Sequence, residues 1–362
     1  MRYLDEFRDP AQARALAERI HALSTRPLRI MEFCGGHTHA IMRHGLSQLL
    51  PPTVELLSGP GCPVCVTANR DLDYAIALAQ QPGVIVATFG DLVRVPGSRS
   101  SLQRAQAEGG DVRVVYSTLD ALALARAHPD RRVVFMGIGF ETTAPTVAAS
   151  ILQAEAEGLS NYAVYSAHKT TPAAMRAILR AGEVGLSGIL GPGHVSTIIG
   201  SAAWEFLPRE HGIPCVIAGF EPLDILRAVA WLVELGETGR AEVGNAYGRS
   251  VTGEGNRVAQ AMMARVFTLD DADWRGLGRV PVSGLRLRPE YARFDAAALY
   301  PLDPGPAAEH PGCRCGEVLR GTLLPPGCAL FGRGCVPAHP IGPCMVSAEG
   351  ACAAYYAYGE RP

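Results

Sequence analysis

Short apolar runs recur along the chain: LRIMEF, VELLSG, GVIVATF, VRVVYS, RVVFMGIG, YAVYSA, GILG and PCVIAGF. They are rich in Val and Ile and bounded by Gly or Pro, which predicts short buried strands. Between them, apolar positions fall at helical spacing over Thr38–Leu50, Ala68–Gln80, Leu119–Ala127, Thr143–Ala156, Pro172–Arg180, Ser196–Phe206 and Leu223–Leu235. Strands alternating with helices predict an α/β chain with parallel sheets covered by helices. Such sheets carry ligands beyond the carboxyl ends of their strands. The strand-to-helix junctions are therefore the place to look for chemistry.

The unusual residues do fall there. MEFCGGHTHA follows the first strand, GPGCPVC (Gly59–Cys65) the second, and MGIGFETTAP (Met136–Pro145) and GPGHVST (Gly191–Thr197) two later ones. The paired look of these exits, with Gly-Pro-Gly used twice, predicts two related α/β domains, 1–118 and 119–240, facing a shared cleft. After residue 240 the alternation fades, Gly, Arg and Pro rise, and six cysteines crowd the end. This predicts a small third domain, 241–362, that is cysteine-rich.

Composition narrows the function. The 362 residues are 48% hydrophobic with a net charge of -2. That balance carries no electrostatic footprint for nucleic acid or an anionic membrane. The N-terminal stretch lacks a hydrophobic secretory core, and no apolar run is long enough to span a bilayer, so the expected location is the cytoplasm. In that reducing compartment ten cysteines point to metal binding or redox chemistry rather than a disulfide framework.

The tail offers Cys328, Cys335, Cys344 and Cys352 with loop-sized gaps, amid Gly and Pro that let thiolates converge. Four thiolates can hold a [4Fe–4S] cluster or a zinc ion. Zinc favours paired knuckles that this tail lacks, so the cluster is the expectation. Cys313 and Cys315 stand too close together to serve well as co-ligands, and either one is an alternative to one of the four. Cys62-Pro-Val-Cys65 opens a helix at a spacing that permits a reversible disulfide. Cys34 is a soft ligand for iron on pliable Gly35-Gly36 backbone, but one thiolate needs a second ligand from elsewhere. His37 and Thr38 follow it, and Glu141 and His194 sit at the other exits as candidate proton carriers or hydrogen-bonding groups. Each also has a plainer reading as a polar core or helix-start residue. The threonines of GFETT read as helix caps. The P-loop, full dinucleotide and nucleophile-elbow signatures are absent.

As a set, FCGGHTHA, GPGCPVCVT, GFETTAPT, GPGHVS and CALFGRGCVPAHPIGPCMVSAEGACAAYY resemble the HypD family of hydrogenase maturation factors. The blocks span nearly the whole chain; 241–310 is the least family-like part. The resemblance implies assembly of the Fe(CN)2CO moiety of [NiFe]-hydrogenase with a HypC-like chaperone and a HypE-like cyanide donor, the hydrogenase large subunit being served indirectly. It implies that Cys34 holds iron, Fe(II) carrying CN and CO ligands, jointly with a cysteine of the partner. It implies that Cys62 and Cys65 are a redox pair, and that Cys328, Cys335, Cys344 and Cys352 hold [4Fe–4S]. His37, Thr38, Glu141 and His194 would line the cleft. Two competing readings remain. One is a stand-alone iron–sulfur thiol–disulfide oxidoreductase, which leaves Cys34 unexplained. The other is a binding module with a structural metal only.

Overall fold

A computed structural model describes residues 5–359. All eight runs form strands: β1 Leu28–Glu32, β2 Val54–Ser58, β3 Val84–Thr88, β4 Asp111–Val114, β5 Arg132–Gly137, β6 Tyr162–Ser166, β7 Gly188–Pro192 and β8 Cys215–Ala218. Three more lie beyond them, β9 Val243–Asn245, β10 Phe267–Trp274 and β11 Gly278–Leu287.

The strands form two parallel sheets, so the α/β class holds. One runs β2-β1-β7-β8-β9, the other β4-β3-β5-β6. β10 and β11 make a separate antiparallel hairpin. The sheets do not follow the sequential order 1–118 then 119–240. The chain begins the first sheet, leaves to build the second, and returns at β7. The reason is register: Met31 of β1 pairs with Leu57 on one side and Ile189 on the other. The exits CGGHTH, GPGC and GPGH therefore share one sheet instead of facing each other as matched halves.

One apolar core lies between the sheets. Met31, Leu57 and Ile189 from the first meet Val86, Val134 and Met136 from the second. Separate clusters cover the outer faces, with Ile30 and Val216 in one and Ile85 and Phe135 in the other. The helix Pro222–Thr238 covers the first sheet and packs on the N-terminal helix Pro10–Leu23.

Two expected helices are broken. Thr38–Leu50 is a helix over Gly35–Arg43, then a 3-10 turn over Leu46–Leu49, with Gly45 left-handed between them. Ser196–Phe206 likewise splits at Gly200. Beyond residue 310 the chain forms short helices and turns, ending in the helix Ala351–Tyr358. No helix of the described residues is long and apolar enough to cross a membrane.

Candidate functional site

β1 and β7 are neighbours, yet the chain moves outward from them in opposite directions, to β2 on one side and to β8 and β9 on the other. That makes the gap between their carboxyl ends a topological switch point, where open α/β sheets form a crevice. Cys34 leaves β1 and His194 leaves β7 on its two sides.

Cys34 is the N-cap of the helix Gly35–Arg43 and is buried. Its loop is pressed against the exit of β2. A methyl group on Gly61 would lie 2.3 Å from the Cys34 nitrogen and 2.5 Å from its Cα, so only glycine fits. The Gly35 N–H donates to the Gly61 carbonyl at 3.1 Å. The Gly36 and His37 N–H groups face the Cys34 sulfur and favour its thiolate. These helix-start donors are thus engaged by the protein itself. Burial, together with the Glu349 and Glu32 carboxylates, outweighs them and pushes the Cys34 thiol well above its ordinary range. A metal cation would reverse that balance by binding the thiolate. Among the described residues, no three His, Cys, Asp or Glu side chains converge to hold one metal ion.

Glu32, which the sequence reading passed over, lies beneath Cys34. It accepts the Cys34 N–H at 2.8 Å and the Thr38 hydroxyl. It is buried, and desolvation raises its carboxyl to about 8 despite those bonds. The signal was available: Glu32 is the one charged group in Ile30-Met31-Glu32-Phe33-Cys34. Thr38 is thereby committed to Glu32.

His37 is fully buried. Its Nε2 lies 3.2 Å from the Ala218 carbonyl and 3.0 Å from that of Gly219. Two acceptors fix the proton on Nε2 and leave Nδ1 bare, and that Nδ1 is buried without a partner. Burial lowers the imidazole to about 4, so it is neutral. In this tautomer His37 accepts a hydrogen bond or proton from a ligand and offers none. Phe220, also unforeseen, lies between His37 and His194, stacking on them at 4.6 Å and 3.7 Å. It ends PCVIAGF, where an aromatic reads as ordinary strand.

Cys62 and Cys65 are joined in a disulfide around the short helix Pro63–Val66. Both are buried in the core between the sheets. That helix packs against the turn Pro343–Met345, which carries Cys344. The helix Ala351–Tyr358, which carries Cys352, packs on the Cys34 helix. His39 binds this tail through the Ala348 carbonyl at 3.2 Å and an edge contact with Tyr358. Three cysteine motifs from distant parts of the chain thus meet at the carboxyl ends of β1 and β2.

All six tail cysteines line one cavity, with Val318, Leu330, Phe331 and Met345. Cys315 lies beside Cys313 and Cys344, and Cys344 beside Cys352. Sequence spacing had set Cys313 and Cys315 apart; in space they belong to the same wall.

Glu141 lies elsewhere. It follows β5 in the other sheet, and its two oxygens accept the N–H and hydroxyl of Thr171, each at 2.9 Å. It pins the start of the helix Thr171–Ala181. Thr143 precedes the helix Ala144–Ala156 without capping it; its hydroxyl turns back to the Ile138 and Phe140 carbonyls.

A family model described as HypD, hydrogenase formation hypA family, matches residues 11–359. The chain belongs to the HypD family. It is 53% identical to the hydrogenase maturation factor HypD of Azotobacter vinelandii, over 100% of this chain and 98% of that protein. It is 50% identical to HypD of Rhizobium leguminosarum bv. viciae, over 99% and 96%. It is 46% identical to HypD of Escherichia coli K12, over 100% and 99%.

Proposed function

We propose that this chain is a hydrogenase maturation factor that holds an iron ion through Cys34 while cyanide and carbon monoxide ligands are added. The carrying observation is the meeting of three cysteine motifs at the carboxyl ends of β1 and β2, beside the switch point of that sheet. Iron is the cargo. A HypC-like partner supplies the second thiolate, a HypE-like protein the cyanide, and the finished group passes on to a hydrogenase large subunit. Glu32 and Thr38 fix the Cys34 loop, and the bare Nδ1 of His37 is a buried base. His194, exposed beside Phe220, stands at the mouth of the crevice.

The tail cavity suits a [4Fe–4S] cluster. Its cysteines surround an apolar space from several sides, and cluster ligands each bind a different iron rather than one shared ion. We assign Cys328, Cys335, Cys344 and Cys352 as the ligands. Such a cluster supplies single electrons. The disulfide helix packed against the Cys344 turn is placed to receive them.

Burial of both disulfide sulfurs counts against the stand-alone oxidoreductase reading, because thiol exchange with a protein substrate needs an accessible sulfur. The test is an infrared spectrum of the anaerobically purified protein co-expressed with a HypC-like partner. Bands of metal-bound cyanide and carbon monoxide are expected in wild type and absent in Cys34→Ala. Unchanged bands in the variant would overturn the role of Cys34. Bands in neither, with a working dithiol, would favour the oxidoreductase.

A further inference from the structure

The cysteine cavity has a second neighbour. Cys313 also lines an open cleft of about 720 Å³. Arg94, Arg99, Arg104, Arg275, His310 and His339 contribute to its walls, against the single carboxylate of Glu309. Arg94, Arg99 and Arg104 are exposed, as are both histidines. Arg94 reaches only the Val346 carbonyl, at 3.4 Å, and Arg99 is unpaired among the described residues. Arg104 meets Glu108 in a solvent-exposed pair, which neutralises little. Arg275 is buried; its guanidinium donates to the Thr67 carbonyl and Asn69 and lies 3.6 Å from Glu309. The chain as a whole carries a net charge of -2, so this positive face is a local arrangement and not a general property of the surface.

We propose that this basic cleft is the docking surface for a small acidic one-electron carrier protein, which delivers electrons through the Cys313 wall. The inference rests on the iron–sulfur reading of the tail. Charge complementarity selects the partner: a positive surface steers an acidic protein into productive encounters and raises its on-rate. Continuity with the cysteine cavity gives the encounter a purpose. In each encounter the carrier is oxidised by one electron and the iron–sulfur group is reduced by one. Two encounters and two solvent protons convert the Cys62–Cys65 disulfide into two thiols.

The experiment is stopped-flow reduction of the anaerobic protein by a reduced plant-type [2Fe–2S] ferredoxin, run beside dithionite. Binding of the oxidised ferredoxin is measured in parallel by anisotropy, a readout independent of reduction. In the double variant Arg99→Glu/Arg104→Glu, binding and the ferredoxin rate should both fall by about tenfold or more, while dithionite reduction is unchanged. Raising salt from about 50 mM to about 300 mM should slow wild type and leave the variant nearly unaffected. Arg240→Glu, outside the cleft, should behave as wild type. A dithionite-reducible chromophore whose ferredoxin rate and binding ignore the charge reversal overturns the docking site and leaves the cluster standing. A protein with no reducible chromophore overturns the cluster and the docking site together.

Discussion

Glu141→Gln separates a helix pin from a proton carrier. Glu141 is buried, and desolvation lifts its carboxyl from 4.5 to about 7 despite the two bonds from Thr171. Ionising it in the folded chain therefore costs about 3 kcal/mol more than in the unfolded chain. Because the folded carboxyl holds its proton more tightly, its favourable contribution is complete below pH 4.5. It is lost as pH rises through 7. Glutamine keeps the shape and one acceptor and does not ionise. Near pH 4.5 the variant should match wild type or fall short by about 1 kcal/mol, the worth of one impaired hydrogen bond. By pH 8 the difference should have moved about 3 kcal/mol in the variant's favour. The assay is paired urea unfolding of both proteins across that range, where titrations common to both cancel. Parallel curves would refute the argument. Infrared bands of the maturing iron should survive in the variant; their loss would return Glu141 to the chemistry.

Three further outcomes are expected. Gly61→Ala drives a methyl into the Cys34 backbone, where no flexible side-chain end can yield. It should cost about 1–3 kcal/mol and release the iron, whereas an unchanged melt and iron content would show that the loop tolerates the shift. Phe220→Ala removes the ring between His37 and His194. It should cost at most about 3 kcal/mol, since the ring is half-buried, and move the histidine imidazole NMR signals; unmoved signals would deny the stack. Single serine variants at Cys328, Cys335, Cys344 and Cys352 should each lose iron and sulfide by chemical assay. The same changes at Cys313 and Cys315 should not, and loss at either would reassign the ligands.

The eight strand runs were legible because buried parallel strands must be near-continuously apolar, and Gly and Pro mark their ends. Pairing was not legible. Nothing in LRIMEF says that its second neighbour is GILG instead of a nearer run, so the sheets were divided by sequence order. The hairpin Phe267–Leu287 was missed in a stretch dense with Asp, Arg and Gly, where its exposed face hides the alternation. Cys34, His37, Cys62 and Cys65 were readable as chemically distinctive types on pliable backbone. Phe220 was not, since its role arises only from two rings that reach it across the crevice. Cys313 and Cys315 show the limit of spacing arguments, because two cysteines too close together in sequence to serve well as co-ligands still line the same cavity as the other four.

The interleaved first sheet has a consequence for synthesis. β3–β6 form a contiguous stretch and can pair as soon as they leave the ribosome. β1 and β2, with Cys34 between them, emerge first but wait for β7 before their sheet can be completed. His37 reaches a carbonyl 181 residues away, and His39 one that is 309 residues away. Contacts this distant in sequence form slowly and late. The pocket around Cys34 is therefore among the last parts of the molecule to exist. A nascent or truncated chain lacks it, so under the iron-holding proposal only a finished protein takes up its cargo.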